Sequence, residues 1–551
     1  MNFDTELDFP NAEDHPPNGR YRYHWGQRWL DFQQLTQGGF VVGAPGSGKT
    51  VSMKLLMKGI LPRIQRGEGV RAVVYDSKTD LVPFLLAKGH IIDRSGKTDP
   101  GLDELQKELA DQGIIARTDG IRFDPACEMV TDESKIYILD PTDRRSRAWD
   151  ISGDITDRFQ IETLAAYLIP APESLGQNRY FSEAAQRILA QVMLALHIAC
   201  PGRWRLKDLV MICRSEELMK TLLYRSPATR PTLEEFFHDD TGFQNVRSTL
   251  STAVTQYESI TLSWEPDFER RKFTTQDWIN NPGLLVLGNN HRAREPISKL
   301  NRMILTQLQA HVMDQEAGKE SETWFILDEF RELGKIEGFN EFLITCRGKK
   351  TAVIMGFQDI AGVEQAYGEK NAREILACAN NAMIYFINGT NPHTQEWASK
   401  VMGQSIYEKL SLGVSKNKNG ISRDVRRDEE LRAFWKPSDF STKLKMPSQC
   451  AQLNVAYSVA GFWGHRQTHF ENLVHPKNSS EPRFIALEDP TVPARVKVDI
   501  GKLPMISTWE SIDHARLQMP DLRKTYEHIT GEGFPKAESP THRPDLYDDI
   551  Q

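Results

Sequence analysis

One stretch, Gly43-Ala44-Pro45-Gly46-Ser47-Gly48-Lys49-Thr50, constrains this chain more than any other, because it fits the pattern G-x-x-x-x-G-K-[ST]. Glycines at these places let a backbone turn tightly and aim its N–H groups inward, which makes a cradle for an anion. The run Phe40-Val41-Val42 before it reads as a buried strand, and residues 53–60 after it carry apolar residues at helical spacing. The helix is expected to start near Lys49 and run to about Arg63, adding the positive end of its dipole to the cradle. In this context the loop predicts a nucleotide site. Lys49 supplies charge to the β- and γ-phosphates, and the Thr50 hydroxyl ligates Mg2+. Binding of ATP with Mg2+, and its hydrolysis, are the first expectation.

Further strands are read at residues 71–75, 136–139, 283–287, 324–327, 351–355, 382–387 and 452–458, with helical spacing between most of them. Strands alternating with helices imply an α/β fold with a mostly parallel central sheet. From about residue 154 to 270 no strand signal interrupts, and residues 161–168, 181–198, 205–224, 232–237 and 244–264 all show helical periodicity. This predicts an inserted all-α domain. The expected organisation is an arm over 1–37, ATPase segments over 38–153 and 271–470 flanking an insertion over 154–270, and a tail over 471–551. Residues 1–20 read as a loose arm, 21–37 as an aromatic segment packed on the core, and 411–427 as a mobile hairpin or loop. A short amphipathic helix is expected near residues 508–517, docked on the core.

A second motif pairs with the first. Trp324-Phe325-Ile326-Leu327-Asp328-Glu329 is an apolar run ending in two carboxylates. Asp328 is expected to hold Mg2+ through water, opposite Thr50, and Glu329 to polarise the attacking water as general base. The following strand ends in Gly356-Phe357-Gln358. Gln358 there reads either as a sensor of the γ-phosphate or as a turn-capping amide. Arg347, in Thr345-Cys346-Arg347-Gly348-Lys349-Lys350, reads as an arginine finger for a neighbouring subunit or as part of a solvated basic turn. Asp76 and Lys78 follow a strand at the edge where ligands bind in such sheets, though a surface turn is the plainer reading.

Composition narrows the rest. The formal net charge of −7 argues against a surface coated in nucleic acid, without excluding a narrow basic channel. Six scattered cysteines form no CxxC pair, and no histidine spacing suggests a transition metal. No apolar run approaches the roughly 18 residues needed to span a bilayer, so the expectation is a soluble cytoplasmic protein, at most peripheral to the inner membrane.

Several segments together resemble the type IV secretion coupling proteins, the TraD/TraG-like group that belongs with the FtsK/HerA-like DNA translocases. They are the loop 43–50, Val73-Val74-Tyr75-Asp76-Ser77-Lys78, Ile138-Leu139-Asp140-Pro141 and Arg147-Ala148-Trp149-Asp150. Tyr180-Phe181-Ser182-Glu183, Leu327-Asp328-Glu329-Phe330, Cys346-Arg347-Gly348, Gly356-Phe357-Gln358-Asp359, Tyr367-Gly368 and Asn380-Asn381 follow in the same order. Asp359 stands where the family usually has serine. The resemblance implies a RecA-like P-loop NTPase with an all-α insertion, assembled as a homo-hexameric ring. It also implies transport of relaxase-bound DNA, single- or double-stranded and without sequence preference, toward the channel subunits of a conjugative secretion system. Gln358 and Arg347 gain weight as site residues from the same match.

One departure stands out. The usual coupling protein has N-terminal transmembrane helices and this sequence shows none. The anchor is then a separate subunit, or the sequence is a piece of a longer protein, or this is a soluble relative; Met1 followed by an acidic arm reads as a natural start. Two other functions fit the same motifs: a HerA-like ATPase in DNA processing or anti-phage defence, and a nucleotide-dependent platform that recruits protein substrates. Residues 416–427 are a candidate for gripping phosphates by charge alone.

Overall fold

The computed structural model describes residues 22–26, 28–86, 92–93, 122–123, 135–170, 177–237, 240–417, 420–446, 452–459, 468–471, 492–498, 509 and 511–518. The expected loose arm at 1–20 and most of the expected tail lie outside these residues. Contacts divide the chain into two compact units, one of residues 1–147 and 275–498, the other of 148–274 and 499–551.

The first unit is built on a sheet whose strands, in chain order, are β1 (Gly39–Val42), β2 (Arg71–Asp76), β3 (Ile136–Leu139), β4 (Leu284–Gly288), β5 (Thr323–Leu327), β6 (Thr351–Phe357), β7 (Asn381–Ile384), β8 (Gln452–Ser458) and β9 (Thr468–Glu471). Across the sheet they run β9-β8-β7-β1-β6-β5-β2-β4-β3. From β7 to β3 every pair is parallel, while β8 and β9 add antiparallel strands at one edge.

The parallel strands are buried on both faces, which is why they read as continuous runs of branched and aromatic residues rather than alternating ones. One face, with Val41, Val74, Val286, Ile326 and Ile354, packs on Met53 and Leu56 of helix α1 (Lys49–Met57) and on Tyr23 and Trp25. On the other face Phe325 meets Phe342 edge-on, and Phe40 and Phe357 both meet Trp397.

The aromatic segment near the start forms a hairpin, Arg22–Trp25 with Arg28–Asp31, and the Trp25 ring lies where a Cβ on Gly39 would be 2.5 Å from it. The helix expected to reach Arg63 stops at Met57 and resumes as Leu61–Gln65. Pro62 explains the restart, since a proline in the first turn lacks only an N–H that would have no helical partner. Strand β7 ends at Ile384, short of Ile387, because the chain there turns to the loop 43–50: Tyr385 N–H still reaches Val42 O at 2.8 Å, and Phe386 O accepts from Ala44 N–H. The segment expected as a hairpin or loop is a two-stranded ribbon, Gln404–Asn417 with Gly420–Ala433, paired along its whole length.

The second unit is helical. Its chain enters at Ala148–Trp149 and leaves at Lys272–Phe273, two short strands that pair in parallel. Of the helices expected here, 205–224 is two, Leu206–Arg214 and Glu216–Arg225, because Ser215 caps the second through Leu218 N–H. Residues 244–264 likewise divide, at Tyr257, whose buried hydroxyl donates to Leu168 O. The helix Ser511–Leu517 docks in this unit through Arg516, which donates to both carboxylate oxygens of the fully buried Asp208 at 2.8 and 2.9 Å.

Strands β5 and β6 leave no room between their carboxyl ends: a Cβ on Gly356 would lie 2.2 Å from Asp328 O and 2.5 Å from Met53 Cε. Gly356→Ala is therefore expected to cost about 2 kcal/mol or more of stability. Gly348→Ala, with open space around it, should shift stability by less than about 0.5 kcal/mol. Thermal unfolding of the two variants checks the pair; equal midpoints would contradict it.

Candidate active site

The loop 43–50 joins β1 to α1 at the carboxyl end of the sheet. Its glycines are required by geometry: Gly46 and Gly48 have φ of 75° and 109°, a region that side chains with a Cβ avoid. The loop is held on two sides, Gly43 N–H donating to Phe357 O at the end of β6 and Ala44 N–H to Phe386 O after β7. Within α1, Ser52 is hydrogen-bonded to the buried Tyr385 hydroxyl. Lys49 Nζ folds back on the loop, donating to Gly43 O at 2.6 Å and Ala44 O at 3.2 Å. Burial lowers its pKa to about 8, against the opposing pull of Glu329 and Asp328.

Sheet order decides what faces this loop. Strand β6 lies between β1 and β5, with Phe357 beside Val42 and Met355 beside Leu327. The residues that end β5 and β6 therefore emerge side by side next to Gly43. The Thr50 hydroxyl donates to Asp328 Oδ1 at 3.1 Å, although 278 positions separate them. Gln358 Nε2 donates to Glu329 Oε2 at 2.9 Å. Asp328 and Glu329 are each only 2% exposed, and burial raises both carboxyls above their ordinary range.

Asp76 belongs to the same edge. It ends β2 beside Asp328, is fully buried, and accepts from Leu81 N–H at 3.0 Å. The surface-turn reading is thus corrected for Asp76, while Lys78 is exposed and lies within electrostatic reach of Lys49 and Asp328. Burial, then the nearby Asp80, raises the Asp76 carboxyl to about 7.

Arg347 is not part of this constellation. It lies exposed in the turn Cys346–Lys349, before β6, whereas Gln358 follows β6. Seven residues of strand separate the two ends of the sheet by about 20 Å. The chain's own Glu329 and Arg347 thus stand at opposite edges.

Two residues that sequence reasoning did not assign to the site lie beside Glu329. Arg331 Nε is 3.4 Å from Glu329 Oε1, and its Nη1 is 3.4 Å from Asp359 Oδ2. The signal available was position alone: Arg331 comes two residues after Glu329, and Asp359 directly follows Gln358.

The arrangement suits a magnesium nucleotide. Thr50 and Asp328 bring two oxygen ligands together, as a hard dication requires. The buried Ser47 Oγ and Glu329 Oε1 have no hydrogen-bond partner among the described residues.

Residues 26–460 match the family model described as the type IV secretion-system coupling protein DNA-binding domain. The chain is 24% identical to the coupling protein TraD of Escherichia coli (strain K12) over 362 residues, which cover 63% of this chain and 48% of TraD. It is 23% identical over 428 residues to VirD4 of Agrobacterium fabrum, covering 72% of this chain and 59% of VirD4. The chain thus spans about half the length of the curated relatives it matches. Among solved structures, the bacterial conjugative coupling protein TrwB in an unbound form superposes with a TM-score of 0.58 at 16% identity, over 86% of this chain and 91% of TrwB. TrwB in complex with ADP and Mg2+ gives the same score at 15% identity, over 87% and 92%. Among the described residues no helix is long and apolar enough to cross a membrane. The sheet order, the loop it carries and the match along most of the sequence lead to one statement: this chain belongs to the type IV secretion coupling protein family.

Proposed function

We propose that the chain is an ATP-driven DNA translocase that serves conjugative transfer. The observation that carries this reading is the convergence of Lys49, the Thr50–Asp328 pair and the Gln358–Glu329 pair on one loop. Relatives named as coupling proteins, and a TrwB complex with ADP and Mg2+, support it.

In this reading the backbone N–H groups of 43–50 bind the β-phosphate, and Lys49 exchanges the carbonyls of Gly43 and Ala44 for phosphate oxygens. Thr50 and Asp328 hold Mg2+, which when bound offsets charge on the β- and γ-phosphates. Glu329 Oε1 accepts a proton from the attacking water while Gln358 fixes Oε2. Burial, by raising the Glu329 carboxyl, makes it a stronger base than an exposed glutamate. A ring of six copies, with Arg347 of one subunit completing the site of the next, accounts for an arginine held exposed and far from its own Glu329. Relaxase-bound DNA, secretion-channel subunits and a separate membrane anchor are the partners this reading implies.

Three outcomes are expected. Glu329→Gln should lower ATP turnover about a thousandfold while keeping ATP affinity within a few-fold, measured by phosphate release and by binding of a fluorescent ATP analogue. Both single- and double-stranded DNA of arbitrary sequence should stimulate the wild-type ATPase, the effect falling steeply between low and moderate salt; turnover indifferent to either DNA would sink the translocase reading. Mixing Arg347→Ala subunits with Glu329→Gln subunits should restore activity that neither has alone, because some interfaces then pair an intact Glu329 with an intact Arg347. A mixture as inactive as its parts would remove Arg347 from the site.

A further inference from the structure

Glu329 is held from two sides, and only one of them belongs to the motifs that define the site. Gln358 donates a short hydrogen bond to Oε2. On the other side, the Arg331 guanidinium stands 3.4 Å from Oε1, close enough for charge attraction but without a hydrogen bond that would occupy that oxygen. Arg331 is itself held. Its Nη1 reaches Asp359 Oδ2, and Asp359 is fixed by its other oxygen, Oδ1, which accepts from Gly362 N–H at 2.7 Å and caps the helix Ile360–Tyr367. Gly362 leaves the space for this: a Cβ there would lie 2.6 Å from Arg331 Cδ.

From these contacts we infer that Arg331 and Asp359 form a positioning pair for the general base. Asp359 anchors the guanidinium, and the guanidinium orients the Glu329 carboxylate so that Oε1 faces the water. Arg331 lies within electrostatic reach of Lys49 as well. The chemistry of Asp359 is specific. A serine there can cap the helix equally well but leaves Arg331 with no counter-charge in the cap. The aspartate in this chain and the arginine beside Glu329 therefore work as one unit. The inference rests on Glu329 acting as the base, as proposed above.

The test uses the full chain, with steady-state ATPase kinetics and binding of a fluorescent ATP analogue. Arg331→Ala is expected to lower kcat about tenfold with KM and analogue affinity within about twofold, since a group acting through the base changes the chemical step and not binding. Arg331→Lys should recover part of the loss. Asp359→Ser keeps the cap but releases the guanidinium, and should lower kcat by a smaller factor. The double variant, Arg331→Ala with Asp359→Ser, should be no slower than Arg331→Ala alone, because the two act in series. An unchanged kcat in Arg331→Ala overturns the inference, as does a double variant whose losses multiply, or a fall in analogue affinity that accounts for the lost rate. Glu329→Gln in the same assay separates the two levels. If it retains turnover, the assignment of the base has failed; if it is inactive while Arg331→Ala is unimpaired, only the positioning pair has failed.

Discussion

The parallel register of β1, β6 and β5 is the constraint on which the site depends. Strands in a parallel ladder run in one direction about 4.8 Å apart, so the residues that follow them leave the sheet on the same edge. Because β6 separates β1 from β5, the loop 43–50 faces the ends of both strands at once. Thr50 can then bond Asp328, Gln358 can bond Glu329, and Arg331 can bridge from the end of β5 to Asp359 beyond β6. A slip of one residue in β6 would turn its side chains to the opposite faces and take Gln358 away from Glu329. The packing at Gly356, with no space for a single methyl group, fixes that register.

These contacts also hold charge where water is scarce. Lys49, Asp328, Glu329 and Asp76 are all nearly or fully buried, and burial moves each pKa toward the neutral form. Such placement is costly for stability, and buried charges removed from water are seldom kept for the fold alone. Elsewhere the chain shows the structural version of the same problem. Asp208 is fully buried but accepts from Arg516, from Trp509 Nε1 and from the Arg205 N–H, so its oxygens are fully engaged. Glu329 and Asp76 each retain an oxygen without a hydrogen bond, although Arg331 stands 3.4 Å from that of Glu329.

What the sequence made legible follows from locality. The loop 43–50 and the run 324–329 each carry their chemistry in consecutive residues, so both could be placed on strand ends and paired without coordinates. The α/β alternation was visible because parallel strands covered on both faces are uniformly apolar. Partners that depend on sheet order were not. Nothing in Arg331 or Asp359 taken singly points to Glu329, and the two meet only because β5 and β6 are neighbours. Buried Asp76 looked like a turn residue for the same reason: its burial comes from β2 lying between β4 and β5. Helix breaks at Ser215 and Tyr257 were hidden because the apolar periodicity continues across both joints, and only the first carries a side-chain cap.

The helical unit poses a topological question that the sheet answers. Strands β3 and β4 are adjacent and parallel, so some crossover must join the carboxyl end of one to the amino end of the other. A single helix would serve. Here the crossover has grown into the entire stretch from Ala148 to Thr274. What makes this tolerable is that entry and exit are tied: Ala148–Trp149 and Lys272–Phe273 pair in parallel, with Asp150 N–H donating to Phe273 O just beyond. Closing a loop costs free energy that grows only logarithmically with its length, and a ladder at its mouth confines that cost to the inserted unit. Strands β1, β5, β6 and β7 are not the pair that the crossover joins, and the Thr50–Asp328 and Gln358–Glu329 bonds both lie within the sheet unit. The insertion can therefore vary in size and surface without disturbing the register that brings Thr50 to Asp328 and Gln358 to Glu329.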